Sequence, residues 1–267
     1  MNEYVFKNEI YYRTNEFKPG RLTLVLVHGV SGSSSAWLPY EKIFENKYNV
    51  LTYDIRGHGK SKKFLNYADY EMKCFAGDLY DLVSHLNISK FIIISHSFAA
   101  PIALEYIKSF RETVSAAIFL SPMLDLTNSF SGKIMRSILK LTRFFSWFSF
   151  NPKPGGHLDY TKYPNTTDWN IKRNYADIKN TTFRIHLYCL RQSVILKPEH
   201  FSLEKINVPT LILHGKKDSM VGIKNSIILS EKIPNSKLVI IPNIDHIVVL
   251  NKVKEVSETI SNFIQGL

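Results

Sequence analysis

Cysteine is nearly absent from this chain of 267 residues: only Cys74 and Cys189 occur. They lie far apart and offer no metal-ligand spacing. A disulfide framework is therefore excluded, and two free, at least partly buried thiols are expected. Long apolar runs are also missing. None approaches the roughly 20 residues that a membrane-spanning helix needs; the longest, Leu22–Val27 and Phe91–Ile94, are strand-sized. The opening Met1-Asn2-Glu3-Tyr4-Val5 lacks the basic region and apolar block of a secretory signal, so a cytoplasmic protein is expected. There is no internal repeat and no low-complexity segment.

Acidic residues are in deficit, 23 against 34 Lys and Arg, for a formal net charge of +11. The excess is concentrated. Between Leu126 and His200, twelve Lys or Arg stand against four Asp or Glu, a net +8 in that stretch. A well-solvated basic surface accounts for this. The charge would also suit an acidic partner: a phosphopantetheine carrier, a CoA thioester or an anionic lipid surface. No basic patch is interleaved with stacking aromatics in a binding motif, so no nucleic-acid partner is expected.

What is present is an ordinary globular composition, 45% apolar and 21% charged, long enough for one large α/β domain. Strands are expected at Leu22–Val27, Val50–Tyr53, Phe91–Ser95, Ala116–Leu120, Thr210–Leu213 and Leu238–Ile241. They are apolar on both faces and so read as buried parallel strands. Glu3–Phe6 and Ile10–Arg13 read as an opening hairpin at the sheet edge. Helices are expected at Trp37–Phe44, Glu71–Leu86, Pro101–Phe110, Ile223–Lys232 and Lys252–Ile264. This alternation predicts an α/β fold with a doubly wound, mostly parallel sheet. The pattern breaks over residues 126–200. Gly132–Phe148 reads as an amphipathic helix, Asn151-Pro-Lys-Pro-Gly-Gly156 as a loop and Phe183–Ser193 as another helix. The chain divides accordingly into a core, 1–125 with 201–267, and a helical cap or lid, 126–200.

Chemistry-bearing residues cluster after the strands. Phe91-Ile-Ile-Ile-Ser-His-Ser-Phe-Ala-Ala100 is an apolar strand, a turn of small residues and a helix start. A serine at such a corner stands above the sheet's C-terminal edge, close to outward-pointing N–H groups of the helix. Ser97 holds that position; the segment equally fits a serine that caps the helix. Ser95 is a rival by residue type but lies at the strand end. His28-Gly29-Val30-Ser31-Gly32 follows the first strong strand, and its turn turns a backbone N–H toward the space above Ser97. Val30 N–H and Phe98 N–H are the expected oxyanion donors. His28 is read as holding its loop, and Asp54 and Arg56 as able to pair across the turn Asp54-Ile-Arg-Gly-His-Gly-Lys-Ser61. His58 in that turn is a poor base.

Thr210-Leu-Ile-Leu-His-Gly-Lys-Lys-Asp218 ends a strand in an aspartate. Pro242-Asn-Ile-Asp-His246 follows the last strand. A serine hydroxyl needs a base within hydrogen-bond reach, and the imidazole needs a carboxylate to fix its tautomer. Ser97, Asp218 and His246 occur in the order this architecture uses. Asp218 could instead cap the next helix; Asp125 is the rival acid, and Asp245 adjoins the base on its wrong side. His28, His58, His96, His214 and His246 show no metal-ligand spacing, so no metal is expected.

Together these residues resemble the α/β-hydrolase superfamily. The carriers are His28-Gly29, Asp54-x-Arg56-Gly57-His58-Gly59-x-Ser61, Ser97, His214-Gly215-x-x-Asp218 and His246, which span almost the whole chain. One departure is visible: the usual G-x-S-x-G at the corner is here S-x-S-x-A, with Ser95 and Ala99. The resemblance implies an eight-stranded sheet with a cap after strand six, and ester or thioester hydrolysis through an acyl-enzyme without a cofactor. The aromatic run Phe144, Phe145, Trp147, Phe148 and Phe150 either packs the cap onto the core or lines an apolar acyl pocket under a lid. A small-molecule acyl ester is the expected substrate. A carbon–carbon bond hydrolase of ring-cleavage diketones and a non-catalytic binding protein on the same scaffold are the alternatives.

Overall fold

Every second residue of the central strands belongs to one hydrophobic cluster and the residues between them to another. Val25 and Val27, Ile93, Ala117 and Phe119, and Ile212 face one way; Leu24 and Leu26, Ile92 and Ile94, Ile118 and Leu120, and Leu211 and Leu213 face the other. This period of two, apolar on both faces, is what a sheet covered by helices on both sides requires. The computed structural model describes residues 1–7, 9–125, 139, 152 and 155–267.

The strands are β1 (Asn2–Phe6), β2 (Ile10–Thr14), β3 (Thr23–Val27), β4 (Asn49–Tyr53), β5 (Phe91–His96), β6 (Val114–Leu120), β7 (Thr210–Gly215) and β8 (Ser236–Ile241). They form one eight-stranded sheet in the order β1-β2-β4-β3-β5-β6-β7-β8. β2 pairs antiparallel with both β1 and β4, and the remaining neighbours are parallel. The opening hairpin therefore sits at an edge, its outer strand β1 largely exposed. This is the α/β-hydrolase fold that the sequence resembles. The helices are α1 (Leu38–Phe44), α2 (Met72–His85), α3 (Ala99–Phe110), α4 (Ile171–Thr181), α5 (Phe183–Ile195), α6 (Lys224–Lys232), α7 (Val248–Asn251) and α8 (Val253–Gln265). α2 and α3 pack on one another over the first cluster, and α1 packs with α8 over the second. None of the described helices is long and apolar enough to cross a membrane.

Several element boundaries lie one or two residues from those expected, and two of the shifts bear on the site. α3 starts at Ala99, two residues earlier than expected, because a proline in the first turn loses no helical hydrogen bond. β5 continues through His96, so Ser97 follows the strand directly. Two helices were missed, α4 and the four-residue α7. α4 buries one charged pair and exposes two large apolar residues: Arg173 and Asp177 are buried, while Ile171 and Tyr175 are exposed. That runs against the pattern by which a surface helix is recognised. Its start is set by Asn170, whose side chain accepts from Arg173 N. Both cysteines are free, Cys189 buried and Cys74 half-buried. The helix expected at Gly132–Phe148 lies outside the described residues except for Leu139, which is helical and buried.

Candidate active site

The order of β4, β3 and β5 in the sheet marks the point where the chain reverses its direction of travel, and crevices open at the carboxyl ends of strands there. β3 ends in the His28 loop and β5 ends at Ser97. Ser97 has φ 55, a left-handed conformation costly for a residue with a side chain. The strain is held by neighbours: Ser97 N donates to Leu120 O at 2.9 Å, and Ser97 O accepts from Ala100 N and Met123 N. Gly29 passes so close that a Cβ there would lie 3.1 Å from Ser97 Cβ. This brings the His28–Gly32 loop, with Val30, against the serine.

β7 and β8 supply the other two groups. Ser97 Oγ lies 2.8 Å from His246 Nε2, and His246 Nδ1 lies 2.8 Å from Asp218 Oδ2. With Nδ1–H donating to the carboxylate, Nε2 is left to accept the serine proton. Asp218 is held from the other side: its Oδ1 accepts from Met220 N and Val221 N. Asp218 does not cap the next helix, α6, whose N-cap Ile223 receives no side-chain hydrogen bond; its Oδ1 holds the turn before it instead. Burial pushes the Asp218 carboxyl up, but the His246 hydrogen bond and charge, the Val221 N–H and His214 outweigh it, leaving it below its ordinary value. His214 Nε2 stands 3.6 Å from the same Oδ2, too far for a hydrogen bond. His96 Nε2–H donates to His246 O at 3.0 Å. Gly215 is where the acid and base loops meet: a Cβ there would lie 2.5 Å from Asp245 O.

The rival residues fall elsewhere. Ser95 is fully buried in β5 and its Oγ has no hydrogen-bond partner. Asp125 pairs with Lys197 at 2.8 Å. Asp245 accepts from Ile247 N and Asp168 N. His28 holds its loop, Nδ1–H donating to Gly29 O and Nε2 accepting from Ile55 N. His58 is buried. Asp54 and Arg56 do not pair with each other. Arg56 forms a bidentate pair with Asp78 on α2. Asp54 accepts from Ser34 N, Lys60 N and His157 Nε2. The backbone between them turns the two side chains to opposite partners, which their short spacing alone does not reveal. Phe98 is buried at the N-terminal end of α3, against Phe75. Phe144, Phe145, Trp147, Phe148 and Phe150 lie outside the described residues.

A cavity of about 270 Å³ opens beside Ser97 and His246. Its apolar lining includes Val30, Trp37, Ile178, Leu190, Val249 and Leu250. Its polar wall comes from α4 and its approach: Arg173 pairs with Asp177 at 2.8 Å, and Tyr160 donates to Asp177 Oδ1. Burial raises the Asp177 carboxyl to about 6, against the pull of Arg173 and Tyr160. Ser31 Oγ and His186 Nδ1 of α5 share a hydrogen bond of 2.6 Å, and Thr181 Oγ1 donates to Ser31 O. None of these contacts was anticipated; only the i, i+4 spacing of Arg173 and Asp177 was visible in advance. Among the described residues no group of three or more His, Cys, Asp or Glu is arranged to hold a metal ion.

The sequence profile of the alpha/beta hydrolase fold family matches residues 23–253. The chain belongs to the α/β-hydrolase fold family. Within it, the chain is 27% identical over 263 residues to a Synechocystis protein provisionally named a non-heme chloroperoxidase, covering 91% of each. A hydrolase from Oleispira antarctica has the same fold, with a TM-score of 0.78 at 19% identity over 96% of this chain and 94% of that one. A thermophilic esterase from Thermogutta terrifontis superposes with a TM-score of 0.72 at 17% identity over 99% and 96%. The small residues Ser95 and Ala99 at the corner, both buried, leave the family's strand-to-helix turn intact.

Proposed function

We propose that this protein is a serine hydrolase that cleaves carboxylic esters or thioesters through an acyl-enzyme. Ser97 is the nucleophile, His246 the general base and then acid, and Asp218 the group that orients the imidazole. The observation that carries the reading is the unbroken hydrogen-bonded line of two 2.8 Å contacts from Ser97 Oγ through His246 to Asp218. In the first step Ser97 Oγ attacks the acyl carbonyl as His246 Nε2 takes its proton. Val30 N–H and Phe98 N–H meet the oxyanion, each such donor contributing about 3 kcal/mol. The alcohol or thiol leaves with the proton held on His246. Water then repeats the sequence and releases the acid.

The substrate is an ester with an apolar acyl chain. The apolar lining beside Ser97 supports this. Residues 1–125 and 201–267 form the catalytic core and 126–200 a cap over the cavity. The contacts of His157 with Asp54 and of His186 with Ser31 support that division. The complete Ser–His–Asp line weighs against a non-catalytic scaffold.

A fluorophosphonate probe is expected to label the protein, with labelling abolished in Ser97→Ala, and p-nitrophenyl esters longer than acetate are expected to be turned over faster than acetate. Persistent labelling of Ser97→Ala refutes the nucleophile. A strict preference for acetate refutes the acyl-chain pocket. Turnover of a vinylogous diketone with none of any ester refutes ester cleavage.

A further inference from the structure

Between the sheet and α4 lies a carboxylate that the reaction sequence above does not use. Asp168 is 2% exposed, and among the described residues no cation pairs with it. Its partners are instead donors from two loops that are distant in sequence. Oδ1 accepts from His246 N at 2.8 Å. Oδ2 accepts from Ser219 N at 2.9 Å and from Ser219 Oγ at 2.7 Å. One oxygen therefore grips the backbone of the base itself, and the other grips the residue next to the acid. The grip is reciprocal, since Asp168 N donates to Asp245 Oδ2 at 3.1 Å. The turn is fixed in place by Asn174 Nδ2 donating to Asp168 O and by Trp169 Nε1 donating to Ser219 Oγ.

We propose that Asp168 is a positioning residue: a single buried carboxylate, supplied from outside the sheet, that ties the Asp218 loop to the His246 loop and sets the distance between acid and base. The proposal rests on the assignment of Ser97, His246 and Asp218 as the reacting line. Both contacts of His246 are 2.8 Å, so its ring has little freedom to move before one is lost. The imidazole hangs on a loop after β8 and its carboxylate partner on a loop after β7. Each loop alone is free to drift against the other. A shared acceptor removes that drift on the His246 N–H side, while His96 Nε2 holds the His246 carbonyl at 3.0 Å. Burying a carboxylate without a cation is costly, and three hydrogen bonds offset that cost here. An apolar residue would pack there more cheaply, but it could not bridge the two loops. The inserted segment thus contributes to the arrangement of the reacting groups and does more than cover them.

Asp168→Asn tests this with little change of volume. The amide nitrogen must face either His246 N–H or the Ser219 donors, so one side of the bridge is broken. Fluorophosphonate labelling rate and kcat on a p-nitrophenyl ester are expected to fall about 10- to 100-fold, with KM changed less than about 3-fold. Asp168→Ala, which leaves room for water, repeats the measurement if the amide prevents folding. A kcat within about twofold of the parent in the folded variant overturns the proposal. So does a raised KM at unchanged kcat, which would make Asp168 a substrate contact. A parent protein inert to the probe removes the nucleophile assignment and this proposal with it. A reactive parent with an equally reactive variant removes this proposal alone.

Discussion

Gly215→Ala is expected to disable the site without touching any reacting side chain. The added Cβ would lie 2.5 Å from Asp245 O, 2.7 Å from Ile244 O and 3.0 Å from Ile244 C. All three are backbone atoms of the loop that carries His246, so no side chain can swing aside. A carbon–oxygen contact relaxes near 3.3 Å, so the loop must retreat by about 0.8 Å. If His246 follows, its 2.8 Å contacts lengthen to about 3.6 Å, beyond a hydrogen bond. A displacement of that size costs about 100-fold in kcat, or about 2.7 kcal/mol. Overpacking should also cost about 1–3 kcal/mol of stability. The assay is kcat on a p-nitrophenyl ester, taken well below the variant's thermal midpoint, beside the midpoint itself. Gly222→Ala is the control, because nothing lies within 4 Å of a Cβ there. A Gly215→Ala variant with kcat within about twofold of the parent would refute the reasoning that this contact holds the base in place.

Asp218→Asn should lower kcat by about 10⁴-fold by favouring the wrong histidine tautomer, whereas Asp125→Asn, cut off from the site in its pair with Lys197, should leave kcat nearly unchanged; the reverse ranking would make Asp125 the acid. Acid should destabilise the fold. Burial holds His58 and His96 down to about 3 and His186 to about 4, against an ordinary 6.5. The unfolded chain therefore binds protons below pH 6.5 that the folded one refuses, and stability drops as pH falls from 6.5 toward 4. Asp177, raised to about 6, acts oppositely, gaining stability as pH falls from 6 to its ordinary 3.8. Burial likewise holds His28 and His214 down and Asp78 and Asp245 up, so five histidines oppose three carboxylates and stability should fall on acidification. Urea unfolding at pH 7.5, 6 and 5 measures it, and a midpoint constant or rising toward pH 5 contradicts it.

Much of this architecture was legible in the linear sequence. Strands buried on both faces write their period into Val25, Leu26, Ile93 and Ile94, and the short loops after them keep Ser97, Asp218 and His246 at strand ends. Each of those residues is placed by its own strand, so order and spacing along the chain were enough to bring the three together. Local chemistry could not decide between partners, however. Asp54 and Arg56 are two residues apart and bond in different directions, to His157 and Asp78. α4 was hidden because Arg173 and Asp177 satisfy each other inside, which frees Ile171 and Tyr175 to face out. Only tertiary structure decided the role of Asp168: its donors are 51 and 78 residues away, and nothing short-range marks a carboxylate whose partners are two backbone N–H groups and a serine hydroxyl. The sequence by itself determined that Ser97, Asp218 and His246 meet, because strand ends carry them. The folded chain decided what holds them at working distance, because those contacts join segments whose separation along the chain carries no signal.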